Sequence, residues 1–72
     1  MSIHLLIQRR RLALGLTLHD LAKRLQKLGI RVDHASLSRL ENGKRDVRLR
    51  DLKQYAIALE CHVLDLLEES PE

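Results

Sequence analysis

The densest chemistry in this chain of 72 residues lies between Ser36 and Arg45. Ser36, Ser38 and Arg39 put hydrogen-bonding side chains on one face of a short helical period, with Leu37 and Leu40 on the other. Asn42-Gly43 is a helix stop, and Lys44 and Arg45 follow it with two cations. Such a face, donor-rich and followed by positive charge, suits a polyanion. The remaining reactive types are scattered. His4, His19, His34 and His62 are far apart, and Cys61-His62 lacks the ligand spacing of a zinc site. No metal and no cofactor is expected. Nor is an enzyme: there is no nucleophile elbow, no glycine-rich phosphate loop and no paired-carboxylate motif, and short helices leave little room for a pocket. Cys61 is expected as a packed junction residue.

Five helices are needed to hold this segment. Ile3 to Leu14 is the first, with Ser2 as its N-cap, Ile3, Ile7 and Leu14 near one face, and Gly15 as a left-handed stop. Arg11 falls on that apolar stripe, where an unpaired cation costs several kcal/mol, so it requires a partner. Thr17 caps the second helix, with Asp20 at its third position facing the helix dipole. Leu18, Leu21, Ala22, Leu25 and Leu28 form a continuous stripe that Gly29 ends. Ile30 to Val32 make a turn, and Asp33 caps a third helix over His34 to Glu41. The second and third helices are the two parts of a helix-turn-helix, in which the second element of the pair enters the DNA major groove. Lys44 to Arg48 is a basic loop. Leu49 to Leu59 is the fourth helix, with Leu49, Leu52, Tyr55 or Ala56, and Leu59 directed inward. Val63 to Glu68 is the fifth, bringing Leu64, Leu66 and Leu67. The fold class is all-α, a compact bundle of five short helices forming one domain over residues 1–69, with a frayed tail at 70–72.

Composition agrees with that class. The chain has no Phe or Trp and a single Tyr, so its core is built of Leu, Ile, Val and Ala. One Cys excludes an internal disulfide and fits a reducing cytoplasm. No signal-peptide stretch or membrane span is present. The net charge of +3 conceals an asymmetry. Residues 1–53 hold all 13 Lys and Arg against 5 acids, whereas residues 54–72 hold 5 acids and no Lys or Arg. A basic working face and an acidic end kept away from it are the expected arrangement.

With these residues in place, the chain resembles the Cro and phage-repressor (XRE-type) helix-turn-helix family, from about Ile7 to Leu67. The specific fragments are Gly15-Leu16-Thr17, Asp20-Leu21-Ala22 and Leu37-Ser38-Arg39-Leu40-Glu41-Asn42-Gly43. Leu52, Ala56, Ala58-Leu59 and Leu64-Asp65-Leu66-Leu67 agree with the last two helices. The resemblance implies a lambda-repressor-like bundle and a structural ion pair between Arg11 and Glu41. It also implies a phosphate clamp at Asn42, Gly43, Lys44 and Arg45. Three departures stand out. About five extra residues lengthen the connection between the second and third helices. Leu18 replaces a phosphate-binding Gln. Glu60 and His62 replace the usual Gly and Ser or Thr before the last helix, a junction expected to be looser.

Docking of the third helix would present His34, Ala35, Ser36 and Arg39 to the bases. Arg39 suits guanine O6 and N7, or else a phosphate, and Ala35 suits a thymine methyl. His34 lies where the family commonly reads bases, with a phosphate-contacting or solvated ring as its alternative. Ser38 joins Thr17, Asn42, Gly43, Lys44 and Arg45 as a phosphate contact, Thr17 acting with the amides of the second helix's N-terminus. Lys23, Arg24, Lys27, Arg31 and Arg48 are further backbone candidates. The expected function is an operator-binding regulator, a repressor or controller, acting as a cytoplasmic homodimer on double-stranded DNA. Val63, Leu66 and Leu67 are its expected dimer surface. The alternative is an antitoxin or adaptor whose partner is a protein such as a toxin. The starting Met and short polar tail are those expected of a stand-alone chain.

Overall fold

Four of the helices end the same way, and these stops set the shape of the molecule. In a computed structural model, which describes residues 2–67, the elements are α1 (Ile3–Ala13), α2 (Leu18–Lys27), α3 (His34–Glu41), a 3-10 turn (Leu49–Asp51), α4 (Leu52–Ala58) and α5 (Val63–Leu66). After α3, Gly43 takes φ +76°, its N–H bonds to the Leu40 carbonyl at 3.1 Å, and the Lys44 N–H reaches the Arg39 carbonyl at 2.9 Å. This pair of bonds is a Schellman motif, which satisfies carbonyls a helix end would otherwise leave open. Gly15 and Gly29 close α1 and α2 with the same two-bond pattern. At the end of α4 the left-handed position is filled by Glu60, at φ 56°.

The starts of α2 and α3 are set by side chains. Thr17 Oγ1 accepts the Asp20 N–H at 3.0 Å while the Asp20 carboxylate accepts the Thr17 N–H at 2.9 Å, a reciprocal capping box. Asp33 caps α3 by accepting the Ser36 N–H at 2.8 Å. Ser2 occupies the N-cap position of α1, but its side chain makes no capping bond; only its carbonyl is used, by the Leu5 and Leu6 amides.

The core joins Ile7 of α1, Leu21, Ala22 and Leu25 of α2, Leu37 and Leu40 of α3, and Leu52, Tyr55, Ala56 and Leu59 around α4, closed by Leu66. Thus α3 is seated against both α1 and α2, and α4 lies between α2 and α5. Both Tyr55 and Ala56 are buried. Leu49 is not: it is 82% exposed, because the segment opens as a 3-10 turn and the α phase that would direct it inward begins only at Leu52. The expected end of α5 at Glu68, residue 69 of the domain and the tail at 70–72 lie outside the described residues. No helix among the described residues is long and apolar enough to cross a membrane.

The longer connection between α2 and α3 is pinned. Gln26 Nε2 donates to the Val32 carbonyl at 2.7 Å, Val32 is buried, and Ile30 packs partly against the core. The connection lines an open groove of about 580 Å³ with Gln26, Arg31, Asp33 and Ser36 on its walls.

Candidate nucleic-acid interface

Helix α3 is held by its inner face and presents its outer one. Leu37 and Leu40 are 0% and 2% exposed, and Glu41 is buried beside them. His34 and Arg39 are exposed, while Ala35, Ser36 and Ser38 are half-buried along the same outward side. Eight residues make a rod about 12 Å long, close to the width of a major groove.

The structure brings Arg11 and Glu41 together beneath this helix. Arg11 Nε donates to Glu41 Oε2 at 2.6 Å and Nη2 to Oε1 at 2.9 Å, while Nη1 reaches the Leu16 carbonyl at 2.8 Å. The fork geometry matches a planar guanidinium to a carboxylate. The hydrogen bonds that Arg11 donates to the Glu41 carboxylate hold its guanidinium even further above its ordinary range, against the opposing effect of burial. One ion pair therefore fixes the last turn of α3 to α1 and to the α1–α2 turn.

Apart from Ser38, which lies within α3, the expected phosphate contacts cluster at the two ends of the motif. Asn42, Gly43, Lys44 and Arg45 follow α3 in a row and are all exposed. Asn42 Nδ2 donates to the Ser38 carbonyl at 2.9 Å, which occupies one of its two N–H groups and leaves the other. Thr17 is exposed at the start of α2. Its backbone N–H is taken by Asp20, so its hydroxyl and the following amides are what it can offer an anion. Gly43 packs close to the His4 ring: a Cβ there would meet His4 Cδ2 at 3.5 Å. His4 Nε2 lies 3.7 Å from the Asp46 carboxylate, tying α1 to the basic loop.

Not every cation is available to a polyanion. Arg24 donates to the Ala58 carbonyl at 2.9 Å and to the Glu60 carboxylate at 2.8 Å. Arg10 donates to the Leu59 and Glu60 carbonyls at 2.9 and 2.8 Å. Both arginines thus cap the C-terminal end of α4, where their charge complements the helix dipole. Arg24, a candidate for the DNA backbone on sequence grounds, is a structural cap. The junction around Glu60 is clamped by these two side chains rather than loosened, and the Asp65 carboxylate accepts the His62 N–H at 3.0 Å across it. The only local signal for this was Glu60 itself, a non-glycine residue at a helix stop. Lys23, Lys27, Arg31, Arg39, Lys44, Arg45 and Arg48 remain exposed.

At the acidic end the expected dimer residues separate. Leu66 is 1% exposed and belongs to the core, so it cannot meet a partner in this fold. Leu67 is 36% exposed and Val63 half-buried, while Leu64, not among the expected set, is 75% exposed. A helix of one turn has too few residues for spacing to say which leucine faces inward.

His19 was also without a sequence signal. Its ring stacks on that of His34, joining α2 to the start of α3.

The helix-turn-helix family model HTH_3 matches residues 7–66, a span that begins in α1 and runs through α5. No curated protein and no solved structure matches the chain. An all-helical bundle with the α2–α3 pair so arranged, matched over most of its length by that model, belongs to the XRE-type helix-turn-helix family of DNA-binding domains.

Proposed function

We propose that the protein is a cytoplasmic transcriptional regulator, a repressor or controller, that binds an operator as a homodimer with α3 in the major groove. The observation that carries this reading is the division of α3 into a locked inner face and an accessible outer face, flanked by the exposed cations that follow it. His34, Ala35, Ser36 and Arg39 read bases. Arg39 is the strongest of them, since a guanidinium can donate to guanine O6 and N7 together. Thr17, Ser38, Asn42, the Gly43 amide, Lys44 and Arg45 hold phosphates and set the register of the helix.

A single α3 of eight residues contacts few base pairs, so a two-fold pair on an inverted repeat supplies the missing specificity. Leu64 and Leu67, with Val63 beside them, are the apolar residues offered by the acidic end for that pairing. Exposed Leu49 and Leu64 equally favour a second reading, in which the main partner is another protein, such as a toxin.

Selection from a random duplex pool, repeated with Arg39→Ala and across a salt series, tests the first reading. An enriched inverted repeat, relaxed at one position per half-site by the substitution, is the expected result. With about six phosphate contacts per subunit, affinity should fall steeply with salt. Absence of enrichment together with a shallow salt slope would transfer the function to the protein partner.

A further inference from the structure

The His19 ring, on the first turn of α2, lies against that of His34, the first residue of α3, with centroids 4.1 Å apart and planes 28° from parallel. Both residues are exposed. An exposed side chain at the start of a helix has no preceding turn to restrict its rotamers, so a contact from outside is what narrows its orientation. The stacked neighbour is such a contact, and it uses the ring faces, leaving the nitrogen edges of both imidazoles open.

The charged groups nearby do not take over the task. Asp20, next to His19, has its carboxylate on the Thr17 amide at 2.9 Å. Asp33, next to His34, has its carboxylate on the Ser36 amide at 2.8 Å. Each acid is committed to a helix start. Because α2 and α3 are themselves fixed by buried Leu21, Leu25, Leu37 and Leu40, a ring anchored on α2 is a rigid reference for a ring on α3.

We propose that His19 is a positioning residue for base recognition: its imidazole stacks on His34 and holds that ring's N–H edge toward a purine N7 or O6 acceptor in the major groove. The inference rests on the reading of α3 as the base-reading helix. His34 makes the contact, and His19 acts through it. Removing His19 frees the His34 ring to leave the productive rotamer, which costs discrimination at one base pair rather than affinity for DNA in general.

Binding-site selection with the wild type, His34→Ala, His19→Ala, His19→Phe and the double alanine variant tests this. His34→Ala should flatten the base preference at one position of each half-site. His19→Ala should flatten the same position, with a loss of discrimination of roughly two- to tenfold, the range of an aromatic pair. His19→Phe keeps a stacking face without ring nitrogens and should restore the preference. The double variant should be no flatter than His34→Ala alone. Melting temperatures should stay close to wild type, since both side chains are exposed. If His19→Ala weakens all sequences evenly and leaves the profile intact, His19 contacts phosphate and the proposal fails. Failure of His19→Phe to restore the preference, or an unchanged profile in His34→Ala, overturns it as well. A wild type that enriches no sequence overturns the base-reading role of α3, and this inference with it.

Discussion

Arg11 and Glu41 form a two-pronged ion pair, 2.6 and 2.9 Å long, between α1 and the last residue of α3, and both side chains are at most 10% exposed. Its position fixes α3 on α1, because the residue that ends α3 is also the one that anchors it. Arg11→Ala would leave a carboxylate buried without its cation. We expect a loss of about 3–5 kcal/mol, read as a lower midpoint in urea unfolding. Replacing both residues with apolar ones of similar length, Arg11→Met with Glu41→Leu, should recover most of that loss. A double variant as unstable as the single one would mean that the third bond of Arg11, to the Leu16 carbonyl, carries the stabilisation.

The two helix-start carboxylates predict an acid response. Hydrogen bonds from the Thr17 amide and hydroxyl region hold the Asp20 carboxyl below its usual range, and the Ser36 amide does the same for Asp33. A carboxyl depressed in the folded state binds its proton more readily in the unfolded chain. Its stabilising contribution is therefore complete above the ordinary carboxylate value and is lost as pH falls through the lower folded value. Melting temperature should be level near neutrality with respect to these groups and decline below about pH 4. Asp33→Asn, which keeps an acceptor but no charge, should show a shallower decline over that window in thermal scans.

Much of this arrangement is legible from residue types because the signals are local. Thr17 and Asp20 cap each other three residues apart, glycines stand at three helix stops, and α2 repeats its leucines over three turns. The need of Arg11 for an acid also follows from spacing, although spacing alone does not name Glu41. What local pattern could not supply is tertiary. Arg24 looks like any other surface cation of α2 until α4 ends beside it. His19 and His34 are fifteen positions apart, and their stacking depends on the angle between two helices. Leu49 was expected inward but stands in a 3-10 turn, whose phase differs from that of the α-helix that follows, and the single turn of α5 is too short for a period to tell Leu64 from Leu66.

The leucines of the acidic end give a direct contrast. Leu66 is 1% exposed and Leu64 is 75% exposed, although they are two residues apart. Leu66→Asp should unfold or severely destabilise the domain, since it places a charge in the core. Leu64→Asp combined with Leu67→Asp should leave the circular dichroism spectrum intact and change the mass measured by light scattering from dimer to monomer. A mass equal to that of the wild type would move the dimer contact away from α5.

Glu60 holds a left-handed backbone, φ 56°, that favours glycine, while its carboxylate pairs with Arg24 at 2.8 Å. Two effects therefore oppose each other at one position. The backbone conformation costs a non-glycine residue about 1 kcal/mol or more. The ion pair is half-exposed, with Arg24 at 39% and Glu60 at 58%, so after solvent screening it returns at most about 1 kcal/mol. Glu60→Ala removes the pair and keeps the strain, and it should destabilise. Glu60→Gly removes both, and it should be more stable than Glu60→Ala by about 1 kcal/mol, close to wild type. The backbone carbonyl of residue 60 persists in either variant, so the Arg10 contact at 2.8 Å survives and the comparison isolates the backbone strain. Chemical denaturation of the two variants side by side measures the difference, and equal midpoints would show that the left-handed backbone at this position costs a non-glycine residue nothing.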